Sequence, residues 1–349
     1  MSPDARPLGI AIIGCGGAGA DVARAIAHVP GLTAVAVHDT DRSLASNLGA
    51  LLGARVYDSL GGLLGDAAVD AVYVALPHDL LVPVAREVLV AGRHVLVEKP
   101  MATTLSDLDE LAATAARVGR TAGVFYQMRF TKAAIEARRI VRDGSIGEVV
   151  GINIRTLIDK PATYWTTGLT GRSASSWRAE RARAGGGVVL MNTSHQLDIV
   201  FMVTGLDVAS VAGHTRALTP GIEVEDAAVA VLRFSNGALG TLAAGAHVAG
   251  ATSDETIEFI GTDGRVMLDP YTGHLSVSRG SGLPSGAVAP PEDPGRSSPF
   301  VAALAGFAEA AARSAPAPVG PPDARRVLAA ILAIYESASH GGALTSVGD

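Results

Sequence analysis

The chain has 349 residues, too many for one ordinary hydrophobic core and a length that suits two domains. Apolar residues make up 48% and charged residues 18%, enough to bury a large core and too apolar for extensive disorder. A net charge of −6 argues against nucleic acid or an anionic membrane as partner, the single cysteine Cys15 excludes internal disulfides and cysteine-based metal sites, and no apolar run reaches the roughly eighteen residues that span a bilayer. Met1 to Pro7 carries no charged-then-apolar signal pattern, so a cytoplasmic location is expected.

In chain order, Leu8 to Ile13 reads as a buried strand, followed at once by Gly14-Cys15-Gly16-Gly17-Ala18-Gly19 and a helical stretch to about His28. This is G-x-G-x-x-G between strand and helix. Gly14 makes the tight turn, Gly16 lets a pyrophosphate approach the backbone, and Gly19 lets helix pack on strand, with the helix N-terminus facing the phosphates. A second strand, Thr33 to Val37, leads to Asp39, twenty residues after Gly19, where a carboxylate would meet the ribose hydroxyls of an adenosine and repel a 2′-phosphate. That position favours NAD over NADP. Strands at Ala54 to Tyr57 and Ala71 to Leu76, with a short helix Ser59 to Gly65 between them, continue the alternation, and Pro77-His78 follows a strand's carboxyl end. Leu80 to Ala91 reads as a helix, Leu105 to Val118 as another opened by a Ser106-x-x-Asp109 capping box, and Thr121 to Phe125 as the last strand. Strand–helix alternation of this kind makes a doubly wound parallel sheet over residues 1–125.

Within it, Val95-Leu96-Val97 is a run fit for a sheet buried on both faces, and Pro100 stops it, which leaves Glu98 and Lys99 at the carboxyl edge where open α/β sheets bind ligands. The chain has three lysines, Lys99, Lys132 and Lys160, against twenty-five arginines. Lysine is therefore not the default basic residue here, and unlike arginine it can shift its pKa and join proton chemistry.

The second half, residues 126–349, reads as an α+β domain on an open, mostly antiparallel sheet. Val149 to Ile158, Val208 to Leu218, Ala227 to Phe234, Ala238 to Ala246, Thr256 to Ile260 and Val266 to Leu268 are strand-like, with turn signals at Asn236-Gly237 and Asp263-Gly264. Val188 to Val203 reads as a helix on which Met191, Asn192, His195 and Asp198 share one face or adjacent faces. Gly280 to Ser298, rich in Gly, Ser and Pro, reads as a surface loop, and helices follow near Pro299 to Ser314 and Pro322 to Ser339, which could pack back on the first domain. An open sheet of Val- and Ala-rich strands exposes an apolar face, which suits a homodimer or homotetramer.

Gly14-x-Gly16-x-x-Gly19, Asp39, Glu98-Lys99-Pro100, Arg129-Phe130, Gly144-x-Ile146-Gly147 and Gly185-Gly186-Gly187 followed by His195-x-x-Asp198 resemble the glucose-fructose oxidoreductase/inositol dehydrogenase (Gfo/Idh/MocA) family, in order and spacing from about Leu8 to Gly264. The resemblance implies an N-terminal Rossmann domain, a C-terminal domain on an open antiparallel sheet, a nicotinamide cofactor and sugar or cyclitol substrates. On that resemblance Lys99 and His195 are the catalytic pair, His195 as general base and Lys99 as the donor that steadies the substrate oxygen. Gly17, Ala18, Pro77, His78, Glu98, Gln127, Arg129, Trp177 and Arg178 join the glycines and Asp39 around the cofactor. Asn192, Tyr164, Lys160, Arg155 and Arg172 are candidates to line the substrate pocket. One departure stands out: Met191 occupies the place where the family usually has an aspartate, four residues before the histidine. It leaves open an alternative, a cofactor-binding regulator or sensor that kept the fold and lost the chemistry.

Overall fold

The computed structural model describes residues 6–168, 171, 175–247, 250, 253–280 and 298–348. The first unit runs β1 (Leu8–Ile13), α1 (Gly17–Ile26), β2 (Leu32–His38), α2 (Arg42–Leu52), β3 (Arg55–Val56), α3 (Leu60–Leu64), β4 (Ala71–Val74), α4 (His78–Val90), β5 (His94–Val97), α5 (Leu105–Val118) and β6 (Ala122–Val124). Its strands form one parallel sheet in the order β3-β2-β1-β4-β5-β6. Strands β4 and β5 are buried at every residue, as required of central strands covered by helices on both faces. The chain reverses its direction of progress between β1 and β4, and the crevice at their carboxyl ends is where such sheets take ligands. Helix ends follow side-chain chemistry. Asp41 accepts from the amides of Ser43 and Leu44 to start α2, and Gly53, at φ 64°, ends it. Helix α5 is started by Thr104, whose Oγ1 accepts from Asp107 N and donates to Asp107 Oδ2, so the capping pair is Thr104 with Asp107 rather than the expected Ser106 with Asp109.

The second unit contributes α6 (Lys132–Arg142), β7 (Val149–Leu157), the short α7 (Tyr164–Thr167) and α8 (Arg181–Ala184), then α9 (Ser194–Thr204), entered through a π-helical turn at Val189–Thr193. Strands β8 (Val208–Arg216), β9 (Ala227–Phe234), β10 (Leu239–Gly245), β11 (Ile257–Gly261), β12 (Gly264–Asp269) and β13 (His274–Arg279) follow, then α10 (Pro299–Ala312), α11 (Pro321–Ser339) and β14 (Thr345–Ser346). The sheet has the order β13-β12-β11-β7-β10-β9-β8-β14 and is antiparallel except where β10 pairs with β7 in parallel. Helix α6 and strands β13 and β14 were not expected from the sequence. Residues 281–297 of the expected surface loop lie outside the described residues.

One face of this sheet packs on α9 and α11; the other is open. On it Val229 and Val231 of β9 are each 56% exposed, with His214 and Ala212 of β8 and Ala243 and Thr241 of β10 as their cross-strand neighbours. The last helices tie the two units together. Leu304 and Phe307 of α10 share an apolar cluster with Ile10, Ile12, Val22 and Phe125 of the first unit, and α11 lies against α5, α9 and β8.

Candidate active site

A cavity of about 670 Å³ opens at the carboxyl ends of β1 and β4 and runs from Asp39 to Tyr164. Its floor is the glycine loop, and the three motif glycines do different work. A Cβ on Gly14, at φ 90°, would lie 2.2 Å from the carbonyl oxygen of Ala75, and one on Gly19 would lie 2.0 Å from that of Gly14. Both are packing glycines. A Cβ on Gly16 would meet nothing within 4 Å, and Gly16 lines the cavity with Gly17 and Ala18, so here a side chain would fill space and not clash. A bare backbone at the amino end of α1, opening on the cavity, fits the pyrophosphate of a dinucleotide. At the end of β2, Asp39 is fixed by accepting from Cys15 N (2.7 Å) and Asp41 N (2.8 Å) and also lines the cavity. Burial first, then Asp39, pushes the Cys15 thiol up to about 12, so it stays protonated.

The middle wall is built by β4, β5 and the segment before α8. Pro77 and His78 line it. His78 is buried, donates from Nδ1 to the carbonyl of Ala184 (2.7 Å), and packs its ring 4.6 Å from that of Trp177. Burial holds its pKa down at about 3, so it is a neutral support for Trp177. Glu98 accepts from Tyr73 Oη (2.5 Å) and from the amide of Lys99 (2.9 Å); burial raises its pKa against the opposing pull of Lys99. Lys99 itself crosses to the second unit and donates from Nζ to the main-chain carbonyl of Met191 at 2.6 Å. Burial lowers its pKa from the ordinary lysine value, partly offset by Glu98.

The far wall carries Tyr164, Trp177, Arg178 and Met191. Arg178 lies over the Trp177 ring, 4.6 Å from its centroid, with Nη1 buried and without a hydrogen-bond partner among the described residues. Lys160 is 6% exposed, donates to Asn192 Oδ1 (3.1 Å) and sits 3.6 Å from the centroid of the Tyr164 ring. His195 is buried behind this wall and does not line the cavity. Its ring meets Tyr126 edge-on at 5.9 Å, Nδ1 has no hydrogen-bond partner among the described residues, and burial followed by the charge of Lys99 drives its pKa well below the ordinary histidine value.

Several expected site residues lie elsewhere. Arg129 does not reach the cavity. Its Nε donates to Asp198 Oδ2 at 2.8 Å, and its Nη2 is bonded to Asp198 and to Asp323. It ties the turn after β6 to α9 and α11, and Asp198 is thereby committed as well. Gln127 is also outside the cavity lining, with Oε1 buried and without a hydrogen-bond partner among the described residues. Arg155 lies on the open face of the sheet beside Ala243 and pairs with Asp254 at 2.8 Å, because strand alternation turns it away from the pocket. Arg172 lies outside the described residues.

Sequence reasoning missed the group that seats the histidine helix. Glu225, 2% exposed, accepts from the amides of Gly187 (2.8 Å) and Val189 (3.0 Å) and from Tyr335 Oη (2.8 Å); Tyr335 Oη in turn accepts from Leu190 N. This explains two glycines of the triplet, Gly186 and Gly187. A Cβ on Gly187 would lie 1.7 Å from the carbonyl oxygen of Glu225 and one on Gly186 2.2 Å from Tyr335 Oη. The signal was the triplet, which demanded a close neighbour without naming it.

A glycine cradle at the switch point of a parallel sheet, a cavity-lining carboxylate at the end of β2 and a buried lysine facing a second, sheet-based unit define a dinucleotide-binding oxidoreductase architecture. The comparisons narrow it. Residues 8–126 match the model described as oxidoreductase family, NAD-binding Rossmann fold, and residues 134–267 match the GFO/IDH/MocA C-terminal domain. The chain belongs to the Gfo/Idh/MocA family. It is 34% identical over 182 residues to a 1,5-anhydro-D-fructose reductase of Ensifer adhaerens, a match that spans 52% of each protein, so about half of that relative's length. It is 29% identical over 270 residues to inositol 2-dehydrogenase 2 of Saccharopolyspora erythraea, covering 75% of this chain and 74% of that one. Among solved structures, GenD2 from gentamicin A biosynthesis, in complex with NAD, superposes with a TM-score of 0.85 at 26% identity, covering all of this chain and 98% of that one.

Proposed function

We propose that this protein is an NAD-dependent oxidoreductase that moves a hydride between the nicotinamide and a hydroxyl-bearing carbon of a sugar, sugar derivative or cyclitol. The observation that carries this reading is Lys99, an ammonium brought by β5 into the same cavity as the glycine cradle and held there by a neutral carbonyl. The residues present fit the dinucleotide: Gly16, Gly17 and Ala18 under its pyrophosphate, Asp39 at its adenosine ribose, Glu98 and Trp177 toward the nicotinamide end. When bound, the nicotinamide supplies or accepts the hydride. Lys99 donates a hydrogen bond to the substrate oxygen and stabilises the negative charge that develops there, while a base beside it takes the hydroxyl proton; the family resemblance points to His195. The relatives named for anhydrofructose and inositol support the substrate class.

Asp39 favours NAD, since its carboxylate suits two ribose hydroxyls and repels a phosphate. The open sheet face with Val229 and Val231 suits pairing with a second copy, as a homodimer or homotetramer. No helix among the described residues is long and apolar enough to cross a membrane, and with one cysteine, a protonated thiol, the chain suits the cytoplasm. The reading is tested by following NADH absorbance with purified protein, NAD and a panel of sugars and cyclitols. Turnover on at least one is expected; NADH binding with no turnover on any would favour the regulator.

A further inference from the structure

Two of the chain's three lysines are brought to successive residues of one turn. Lys99 Nζ donates to the carbonyl of Met191 at 2.6 Å and Lys160 Nζ to Oδ1 of Asn192 at 3.1 Å, both within the π-helical turn Val189–Thr193. Lys99 has a counter-charge in Glu98, the residue before it. Among the described residues Lys160 forms no ion pair with a carboxylate, although it is only 6% exposed. The carboxylate whose charge reaches it, Glu255, is bonded to Gln196 and is held toward its protonated form by burial. The Tyr164 ring, its centroid 3.6 Å from Lys160 Nζ, attracts the ammonium without neutralising it, and Arg178 adds another positive charge 5.5 Å from the same centroid. A buried charge is costly unless one of opposite sign meets it, and an anionic group on the substrate would do so.

The place suits such a group. Tyr164 and Met191 line the cavity with Lys99, and Lys160 stands behind the wall they form, against the Tyr164 ring and on the residue after Met191. His195, the base of the proposed reaction, is buried behind the same wall. A substrate whose hydroxyl reaches Lys99 and His195 therefore brings its neighbouring substituents to Asn192 and Lys160. With Oδ1 taken by Lys160, the Asn192 amide presents Nδ2 as a donor. An ammonium on a flexible four-carbon stem beside an amide N–H matches the two oxygens of a carboxylate.

We propose that the substrate is an acidic sugar or acidic cyclitol whose carboxylate is bound by Lys160 and Asn192 while Lys99 holds the hydroxyl oxygen that is oxidised. This rests on the hydride-transfer reading above and leaves the proton to His195. The carboxylate makes and breaks no bond. It is ionised before and after the reaction, and by anchoring one end of the ring it fixes which hydroxyl meets Lys99. A neutral analogue of the same shape leaves the Lys160 ammonium buried without a counter-charge and is rejected for that reason.

The test compares acids with their neutral amides, which differ little in shape. D-Glucuronate, D-galacturonate and quinate, each against its carboxamide, are followed by NADH formation with wild-type protein and NAD. For at least one pair kcat/KM is expected to be about 10²-fold higher for the acid, a ratio that needs no variant to fold. Lys160→Gln should bring that ratio to within several-fold of one, and Lys160→Arg, which keeps the charge, should retain most of it. Calorimetric titration of the preferred acid into the NADH complex should show the same loss in Lys160→Gln as a rise in Kd, independent of turnover. Amides or neutral sugars oxidised as efficiently as the acids overturn the assignment while leaving hydride transfer standing, and so does an acid preference that survives Lys160→Gln. Absence of turnover on every acid, amide and neutral sugar with NADH still bound overturns the underlying reading, and this assignment with it.

Discussion

Lys99 donates its ammonium hydrogen to the backbone carbonyl of Met191, 92 residues away, across the interface between the two units. A carboxylate there would raise the lysine's pKa and neutralise its charge; a carbonyl orients it and leaves the full positive charge for the substrate. Lys99→Ala is therefore expected to lower kcat by about 10²- to 10³-fold, as for loss of one donor at a developing oxyanion, with the Kd for NADH within several-fold of wild type. Steady-state kinetics and NADH fluorescence titration check it. Near wild-type turnover would make Lys99 a strand-end residue and no more.

Asp39 is held by two backbone amides at the glycine-loop end of the cavity. NAD is expected to bind at least about tenfold tighter than NADP, equivalent to about 1.4 kcal/mol, and Asp39→Ser should narrow that ratio. Calorimetric titration of both dinucleotides decides it. Equal affinities in the wild type would remove Asp39 from the site.

Arg129 belongs to a buried ion-pair cluster with Asp198 and Asp323. Asp198 is 1% exposed, so Arg129→Met leaves a buried acid without its partner and is expected to cost about 3–5 kcal/mol of stability. NADH affinity should stay within a few-fold. Denaturant unfolding and cofactor titration on the same preparation give both numbers. A variant of wild-type stability that binds NADH poorly would return Arg129 to the cofactor.

Glu255 accepts from Gln196 Nε2, and burial raises its pKa from 4.5 to about 7. The folded state thus favours the protonated form. The resulting stabilisation is full below pH 4.5 and is lost as pH rises through about 7, and it amounts to about 3 kcal/mol at most. Thermal unfolding between those limits should show stability falling toward alkaline pH, and the Glu255→Gln protein should lack that part of the fall. An unchanged slope in the variant would place the ionisation elsewhere.

What the sequence revealed is what depends on neighbours in sequence. Gly14, Gly16 and Gly19 act within one strand–turn–helix, Pro100 fixes where β5 delivers Lys99, and Asp39 follows from the end of β2, so spacing alone located them. Glu225 was invisible because its task is set by residues 36 to 110 positions away, at Gly187, Val189 and Tyr335. Arg129 was misread for the same reason, since the carboxylate that claims it is 69 residues on. The parallel pairing of β7 with β10 escaped because turn dipeptides report hairpins and not which strand comes to lie beside a distant one. Tyr164 was placed at the pocket, and it lines the cavity, but sequence does not show that Lys160 and Arg178 both come to lie against its ring.

Strand β6, the edge of the first sheet, is finished by the far end of the chain: Val124 N donates to the carbonyl of Val319 (3.0 Å), Thr121 Oγ1 to that of Ala315 (2.8 Å), and Leu304 and Phe307 fill the apolar face beside Phe125. On the ribosome this order of contacts matters. The dinucleotide domain emerges first, with an unpaired strand edge and an uncovered greasy flank, and stays in that state until some two hundred further residues have been made. A nascent chain of this protein therefore waits for residues 304–319, and a truncation after the second sheet would strand the first one open to pairing with whatever strand it meets.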